Sequence, residues 1–337
     1  MKAFITRNWQ GPETLAVEEV ADPPAPGPGQ VRIAIRAASL NYRDVLAVSG
    51  ALGPSPYGFL IPLSDGAGEV IETGPDVWRV KVGDRVALTV NPDWIGGEWR
   101  PSPGARGRGG SNLQGVMCEQ VVANQSEVVA LPSYLSFEEG ASLPCAAVTA
   151  WCALCSAAPL MPGMSVLTQG GGGVSLFALQ FAKLFGARVI VVSSNAERCA
   201  RLKTLGADDA IDYNAEPAWD KAVRALTGGM GVDVTVELGG AKTVDRSLGA
   251  TRVGGRVALV GLLTGIPNMA SSMFSSGVDI SPIRVGSRAH FEAIIRALDF
   301  HKIHPVIDSS YTFGQLPEAF SRLKSGQHMG KVVIRFT

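Results

Sequence analysis

Four consecutive glycines, Gly170 to Gly173, stand between a short apolar run and a longer one in LTQGGGGVSLFALQFAK, residues 167–183. Their surroundings constrain the chain more than any other feature. Before them, MSVLTQ (164–169) reads as a short buried strand. After them, VSLFALQFAKLFG (174–186) carries Val174, Leu176, Phe177, Leu179, Phe181, Leu184 and Phe185 on almost every face, the pattern of a helix buried on most sides and stopped at Gly186. ARVIVVSS (187–194) is a second buried strand. Strand, glycine turn, helix and strand within about 30 residues make a βαβ unit.

A flexible hinge needs no such frame, but a pyrophosphate site does. Glycines let the chain turn tightly and let phosphate oxygens reach the backbone, while the helix N-terminus supplies free N–H groups and a positive dipole end. Gly170, Gly171, Gly172, Gly173 and Val174 are therefore the expected phosphate contacts. The pattern reads G-x-G-G-x-S, with Ser175 where a third glycine is usual, and slightly looser helix–strand packing is expected there.

The alternation continues. AERCARLKTLG (196–206), AWDKAVRALTGG (218–229) and AKTVDRSLGATR (241–252) read as helices; ADDAIDY (207–213), VDVTVELGG (232–240) and GRVALVGLLTG (255–265) read as strands. Helices alternating with buried strands predict an α/β fold with a doubly wound parallel sheet, whose ligands lie beyond the strand C-termini.

The end of the second strand selects the nucleotide. NAD readers usually place a carboxylate there to bind the ribose 2′-OH. Here Ser193, Ser194 and Asn195 occupy the position, with Arg198 one turn on. Nothing acidic at that strand end repels a 2′-phosphate and a guanidinium can bind one, so NADPH is the expected cofactor. The plain alternative is that Glu197 and Arg198 form a solvated helix face.

Composition excludes several classes. Hydrophobic residues are 46% and charged residues 18%, and 337 residues are enough for two domains. Lys and Arg together number 30, as do Asp and Glu, so no charge excess points to nucleic acid or an anionic membrane. MKAFITRNWQGPETL lacks the apolar stretch of a signal peptide, and no run suits a membrane span. Five cysteines without a disulfide-scaffold pattern suit a reducing compartment, and a cytoplasmic protein is expected. Two segments read as loops: the proline-rich connector VADPPAPGPGQ (20–30), and the Gly-, Pro- and Arg-rich stretch 91–112, long enough to be either functional or disordered.

SLNYRD (39–44), DGAGEVIETG (65–74), VGDRV (82–86), LPCAAVTAW (143–151), the glycine loop, VELGG, VGSR (285–288) and GKVVI (330–334) together resemble the medium-chain dehydrogenase/reductase superfamily, in its zinc-independent quinone oxidoreductase-like branch. The resemblance implies a GroES-like β-rich catalytic domain over 1–147, a Rossmann NADP-binding domain over 148–283, and a return to the catalytic domain over 284–337. It implies a cleft between domains where nicotinamide meets substrate, and homodimers or homotetramers. For the cofactor it implies Thr149 beside the nicotinamide, the glycine loop, Ser194, Arg198, Tyr213 near a 2′-phosphate, Gly239 of the VELGG marker, Gly261, Leu262, Gly286 and Ser287, with Lys331 a weaker candidate.

What the sequence lacks relative to zinc-dependent members is informative. By that resemblance the first Cys position is Asn41 and the His-Glu position is Ser64-Asp65, so only Cys145 fits a ligand position. All four histidines, His290, His301, His304 and His328, lie near the C-terminus. Catalytic zinc takes three protein ligands, so no metal is expected. The four cysteines of the structural zinc lobe are absent from 91–112. Cys152 and Cys155 read as two core thiols on a helix, and His301 and His304 as caps of a helix end.

Without zinc, hydrogen-bond donors must stabilise the oxyanion formed when hydride reaches a carbonyl. The candidates by family position are Asn41, Tyr42, Arg43 and Ser64, with Tyr57 a further possibility. Arg43 can stabilise an oxyanion but cannot relay a proton. It can equally pair with Asp44 or Asp65, and Asn41 can simply satisfy backbone groups. Trp94 and Trp99 can line a flat acceptor's pocket or anchor their loop. Quinones, enones and activated aldehydes need less polarisation than simple ketones, so a metal-free NADPH-dependent reductase of such small molecules is the expected activity. The alternatives are a zinc-free NAD-dependent alcohol dehydrogenase, and a nucleotide-binding sensor or RNA-binding protein using a patch such as Arg100, Arg106 and Arg108.

Overall fold

A computed structural model describes residues 1–100, 104–110, 112–156, 158–267 and 275–336. The expected loop 91–112 therefore lies partly outside the described residues. The chain divides into two compact units, Met1–Val148 with Val285–Thr337, and Thr149–Arg284.

The first unit is β-rich. Strands β1 (Lys2–Ile5) and β2 (Ala16–Glu19) form an antiparallel pair. The larger sheet contains β3 (Gln30–Ser39), β4 (Asp65–Thr73), β5 (Arg85–Leu88), β6 (Gln120–Asn124), β7 (Val128–Ala130), β14 (Ile307–Thr312) and β15 (Lys331–Arg335). Its order is β14-β15-β3-β4-β5-β7, with β6 also on β3. Inward residues alternate along β3, where Val31, Ile33 and Ile35 are buried against Leu63, Val70, Val86, Val116 and Ile334. Each such side chain contributes about 1.5–3 kcal/mol on leaving water. Helices α1 (Tyr42–Val48), α2 (Phe137–Ala141), α8 (Arg288–His301) and α9 (Leu316–Lys324) complete this unit.

Two antiparallel registers assemble its site. β15 on β3 pairs Val333 with Ser39 and Ile334 with Ala38, which carries Lys331 towards Asn41. β3 on β4 pairs Ser39 with Asp65.

Helix α8 ends on His301, with a further group at its end that the sequence does not suggest. Lys302 adopts left-handed backbone, φ 52°, and the Tyr134 hydroxyl lies 2.8 Å from the Leu298 carbonyl and 2.9 Å from that of Ile303. His304 lies 2.5 Å from Glu139. A phenol reaching from a distant loop thus adds a donor at the helix end.

The second unit holds β8 (Ser165–Gln169), β9 (Arg188–Ser193), β10 (Asp209–Asp212), β11 (Val232–Glu237), β12 (Thr251–Leu259) and β13 (Asp279–Pro282). All pair in parallel, in the order β10-β9-β8-β11-β12-β13. That is a Rossmann sheet with its topological switch between β8 and β11. Helices α3 (Val148–Cys155), α4 (Gly173–Leu184), α5 (Ala196–Thr204), α6 (Trp219–Leu226) and α7 (Val244–Ala250) accompany it.

Helix α4 buries Leu176, Phe177, Leu179 and Phe181, and Trp151 meets Phe181 edge-on at 5.4 Å. It ends as expected at Gly186, φ 74°. The Ala187 N–H reaches the Ala182 carbonyl at 2.9 Å and the Gly186 N–H reaches that of Lys183 at 3.0 Å, a Schellman cap.

Two expectations are corrected. Ser175 does not loosen the packing: it is fully buried, and its hydroxyl lies 2.7 Å from the Gly170 carbonyl and 3.2 Å from Thr168 Oγ1. A hydroxyl tying the helix back to its own loop replaces the missing glycine contact. Strand β12 also begins earlier and ends earlier than expected, at Thr251 and Leu259 rather than 255 and 265. Its register jumps from Thr251 opposite Val232 to Arg256 opposite Val234, so Arg252–Gly255 bulge out. Beyond Leu259, Gly261 passes so close to Leu238 that a Cβ there would lie 1.7 Å from the Leu238 oxygen, and the chain turns.

Candidate functional site

In the first unit the registers gather Asn41, Arg43, Asp44, Ser64, Asp65, Cys145 and Lys331. Lys331 is buried, and its ammonium lies 2.7 Å from the Leu40 carbonyl and 2.6 Å from Asn41 Oδ1. Asp44 is fully buried at the start of α1. It accepts the Asn41 N–H at 2.7 Å and faces the Arg43 guanidinium at 3.5 Å. Burial pushes its carboxyl up to about 6, with Asp65 adding to the rise and Arg43 and Lys331 opposing it. Arg43 also donates to the Arg108 carbonyl at 2.9 Å. Arg43 thus pairs with Asp44, as its plain alternative had it, while the Asn41 side chain holds an ammonium; neither use takes up the whole side chain. Asn41 Nδ2 has no partner and Arg43 keeps further N–H groups.

Ser64 and Asp65 are fully buried. The Ser64 hydroxyl donates to Asp65 Oδ1 at 2.7 Å, and the Cys145 N–H donates to Asp65 Oδ2 at 3.0 Å. Ser64's proton is therefore held by Asp65. Tyr42 and Tyr57 are exposed.

The donor set does not fit a catalytic zinc. Asn41 Oδ1 is taken by an ammonium, both Asp65 oxygens by other donors, and burial pushes the Cys145 thiol up to about 12, far from the thiolate a metal needs. A buried ammonium beside these groups also opposes a dication. Among the described residues, no group of three or more His, Cys, Asp or Glu side chains is placed to hold a metal. The lobe at 91–112 is tied by ion pairs among its described residues: Arg106 with Asp93 at 2.7 Å and Glu127 at 3.2 Å, and Arg108 with Glu127 at 2.5 Å. Burial of Arg108 removes it from any surface patch for nucleic acid. Trp94 packs edge-on against Trp99 at 5.1 Å and His290 at 6.0 Å, and its N–H meets Gly97.

In the second unit the expected cofactor residues fall at the strand C-termini. Gly170 has φ 73°, and Gly172 leads into α4 without a side-chain cap, with Gly171, Gly173 and Val174 around it. The first-turn N–H groups of α4 thus meet no side-chain cap, as an anion site requires. Ser193 ends β9 and is buried; Ser194 is half-buried, and its carbonyl accepts from Asn214 at 2.5 Å. Asn195 caps α5 through the Arg198 N–H at 2.8 Å. Tyr213 is exposed, its N–H bonded to Ser193 at 2.9 Å. Gly239, Gly261 and Leu262 lie in the loops after β11 and β12. Thr149 is buried on α3.

Gly286 and Ser287 belong to the first unit, where Ser287 caps α8 through the His290 N–H at 3.3 Å. Lys331, expected as a cofactor contact, has its ammonium on Leu40 and Asn41. Neither Asp44 nor the pair Gln169 and Glu237 is among the site residues expected from the sequence. Asp44 lay within the NYRD motif, the one available signal.

Residues 27–133 match the alcohol dehydrogenase GroES-like domain and residues 173–299 the zinc-binding dehydrogenase domain. A zinc-type alcohol dehydrogenase-like protein of Schizosaccharomyces pombe is 36% identical over 334 residues, covering 96% of each chain. The chain is a medium-chain dehydrogenase/reductase. Members of this superfamily are NAD(P)H-dependent oxidoreductases, and so is this chain. An NAD-dependent alcohol dehydrogenase structure superposes with a TM-score of 0.90, 33% identical and covering 99% of each chain. A mycobacterial protein solved with NADPH superposes with a TM-score of 0.84, 28% identical, covering 99% of this chain and all of its own. Relatives of this dehydrogenase/reductase also include quinone oxidoreductase-like proteins. Among its described residues, no helix is long and apolar enough to cross a membrane.

Proposed function

We propose that this chain is an NADPH-dependent reductase of quinones, enones or related activated carbonyls that works without a catalytic metal. One observation carries the reading: the buried ammonium of Lys331 fixes Asn41 Oδ1 at the position where zinc relatives have a metal ligand. With Oδ1 held, the amide N–H groups of Asn41 are its free donors, and they find no partner within the protein. Arg43 adds a permanent positive charge beside them. Donors and charge of this kind stabilise an oxyanion as it forms. When bound, the nicotinamide supplies the hydride.

The absence of a carboxylate at the end of β9, with Arg198 in the first turn of α5, supports NADPH over NADH. Gly170–Val174, Ser194, Arg198, Tyr213, Gly239, Gly261 and Leu262 would hold the dinucleotide. Two- or four-fold association of identical chains and a cytoplasmic location belong to the same reading, and the five free thiols are consistent with a reducing compartment.

The likeness to an NAD-dependent alcohol dehydrogenase favours a second reading, alcohol oxidation with NAD. Titration of metal-free protein with NADPH and with NADH, followed by nicotinamide fluorescence, separates the two. A clear preference for NADPH, followed by turnover on a quinone and enone panel, supports the reductase. Equal or better NADH binding with alcohol-driven absorbance change overturns it. Tight NADPH binding with no turnover on any acceptor would make the chain a nucleotide-binding sensor.

A further inference from the structure

We propose that Glu237 and Gln169 are a positioning pair that locks the loop after β11 to the strand end leading into the glycine run, and so shapes the rim for the dinucleotide. The proposal rests on the reading that NADPH binds at the glycine loop.

The parallel register of β8 and β11 pairs Val236 with Thr168, which sets Glu237 beside Gln169 at the topological switch. Glu237 is fully buried. Its Oε1 accepts from the Gly239 N–H at 2.7 Å, the Gly240 N–H at 2.8 Å and the Thr243 hydroxyl at 2.5 Å. Its Oε2 accepts from Gln169 Nε2 at 2.7 Å and from the Ser247 hydroxyl. All of these donors are neutral, so the carboxylate is held in the interior by oriented dipoles. Gln169 completes the circuit. Its Oε1 accepts from the Leu238 and Gly239 N–H groups, both at 3.0 Å, and its Nε2 also reaches Ser247 at 2.8 Å.

The side-chain bonds act on the loop after β11 and on the strand end before the glycine run. Gln169 immediately precedes the glycine run. Leu238 to Gly240 form the loop after β11, with Gly240 at φ 93°. The Glu237 carbonyl takes the Val260 and Gly261 N–H groups at 2.9 and 3.0 Å, and Thr264 bonds Gly239, which ties in the loop after β12. The side-chain pair thus fixes the loop after β11 directly and anchors the strand end that leads into the glycine run, while the loop after β12 joins them through backbone carbonyls, at the edge where such sheets take their ligands.

The polarity of the pair is dictated. Backbone N–H groups can only donate, so the atoms facing them must be acceptors, and the remaining contact needs one donor and one acceptor. Glu237→Gln sets one NH2 against another, and no amide flip relieves it without facing a backbone N–H. The exchange Gln169→Glu with Glu237→Gln reverses the central bond and restores every partner, with Ser247 rotating its proton.

The test is NADPH affinity, read by nicotinamide fluorescence well below the melting temperature, for wild type, Glu237→Gln and the exchanged double variant, with melting recorded for each. The single variant should bind NADPH about tenfold or more weakly, and the double variant within about threefold of wild type. If Glu237→Gln does not fold, Ser247→Ala removes one donor and keeps the charge, and should weaken binding about threefold. A single variant that melts earlier yet binds NADPH as wild type does overturns the positioning role, as does a double variant as weak as the single one. Wild type that binds neither nucleotide instead overturns the cofactor reading beneath it.

Discussion

The Lys331 ammonium lies 2.6 Å from Asn41 Oδ1, joining the first residue of the last strand to the residue just before the first helix. It is a buried charge held by two neutral acceptors, and it fixes which face of the Asn41 amide is left to donate. Lys331→Met removes the charge and that hold. Leaving the Leu40 carbonyl and Asn41 Oδ1 without their buried donor costs about 1–3 kcal/mol, measurable by urea unfolding. If Asn41 is the oxyanion donor, kcat should fall at least about tenfold with little change in NADPH affinity. A loss confined to NADPH binding would return Lys331 to the cofactor.

Asp44 gives the site a pH signature. Its folded carboxyl titrates at about 6, above the roughly 4 of an unfolded chain. Between these values the folded protein keeps a proton that the unfolded chain has released. This group's contribution therefore falls as pH rises through the window and stays low above it. Asp44→Asn abolishes that loss. The stability of the variant relative to wild type should improve by roughly 1 kcal/mol between pH 5 and pH 7.5. Parallel urea curves at both pH values with a constant offset would contradict it.

Metal content follows from the donor set. With Asn41, Ser64 and Asp65 bonded elsewhere and the Cys145 thiol held protonated, elemental analysis of purified protein should find far less than one zinc per chain. Activity should survive incubation with a chelator. One tightly held zinc per chain would mean the site rearranges to bind it.

The β8–α4–β9 frame was legible because its signals are local: an apolar run, four glycines, a helical run and Gly186. The boundaries of β12 were not, because Gly254 and Gly255 read as a break between helix and strand, whereas they bulge within one strand. The residue types of the candidate site could be read by position, but their partners could not. Lys331 and Asn41 are 290 residues apart, and only the antiparallel register of β15 on β3 joins them. Gln169 and Glu237, 68 apart, looked like the polar ends of two unrelated strands until the parallel register paired them. Helix capping by Tyr134 was hidden for the same reason, since a loop phenol carries no local mark of the helix it closes.

Arg198 provides the sharpest test of nucleotide choice. Its N–H is spent on the Asn195 cap, so the backbone at the start of α5 is fixed independently of its guanidinium. Removing the side chain should leave the helix start intact. If the guanidinium meets a 2′-phosphate, Arg198→Ala should weaken NADPH by about tenfold or more, the scale of one charge-assisted contact, and leave NADH unchanged. Salt should narrow the difference between the two nucleotides in wild type and have less effect in the variant, because the lost term is electrostatic. Equal losses for both nucleotides would show that Arg198 supports the fold of the strand end, and the preference would have to arise elsewhere at the ends of β9 and β10.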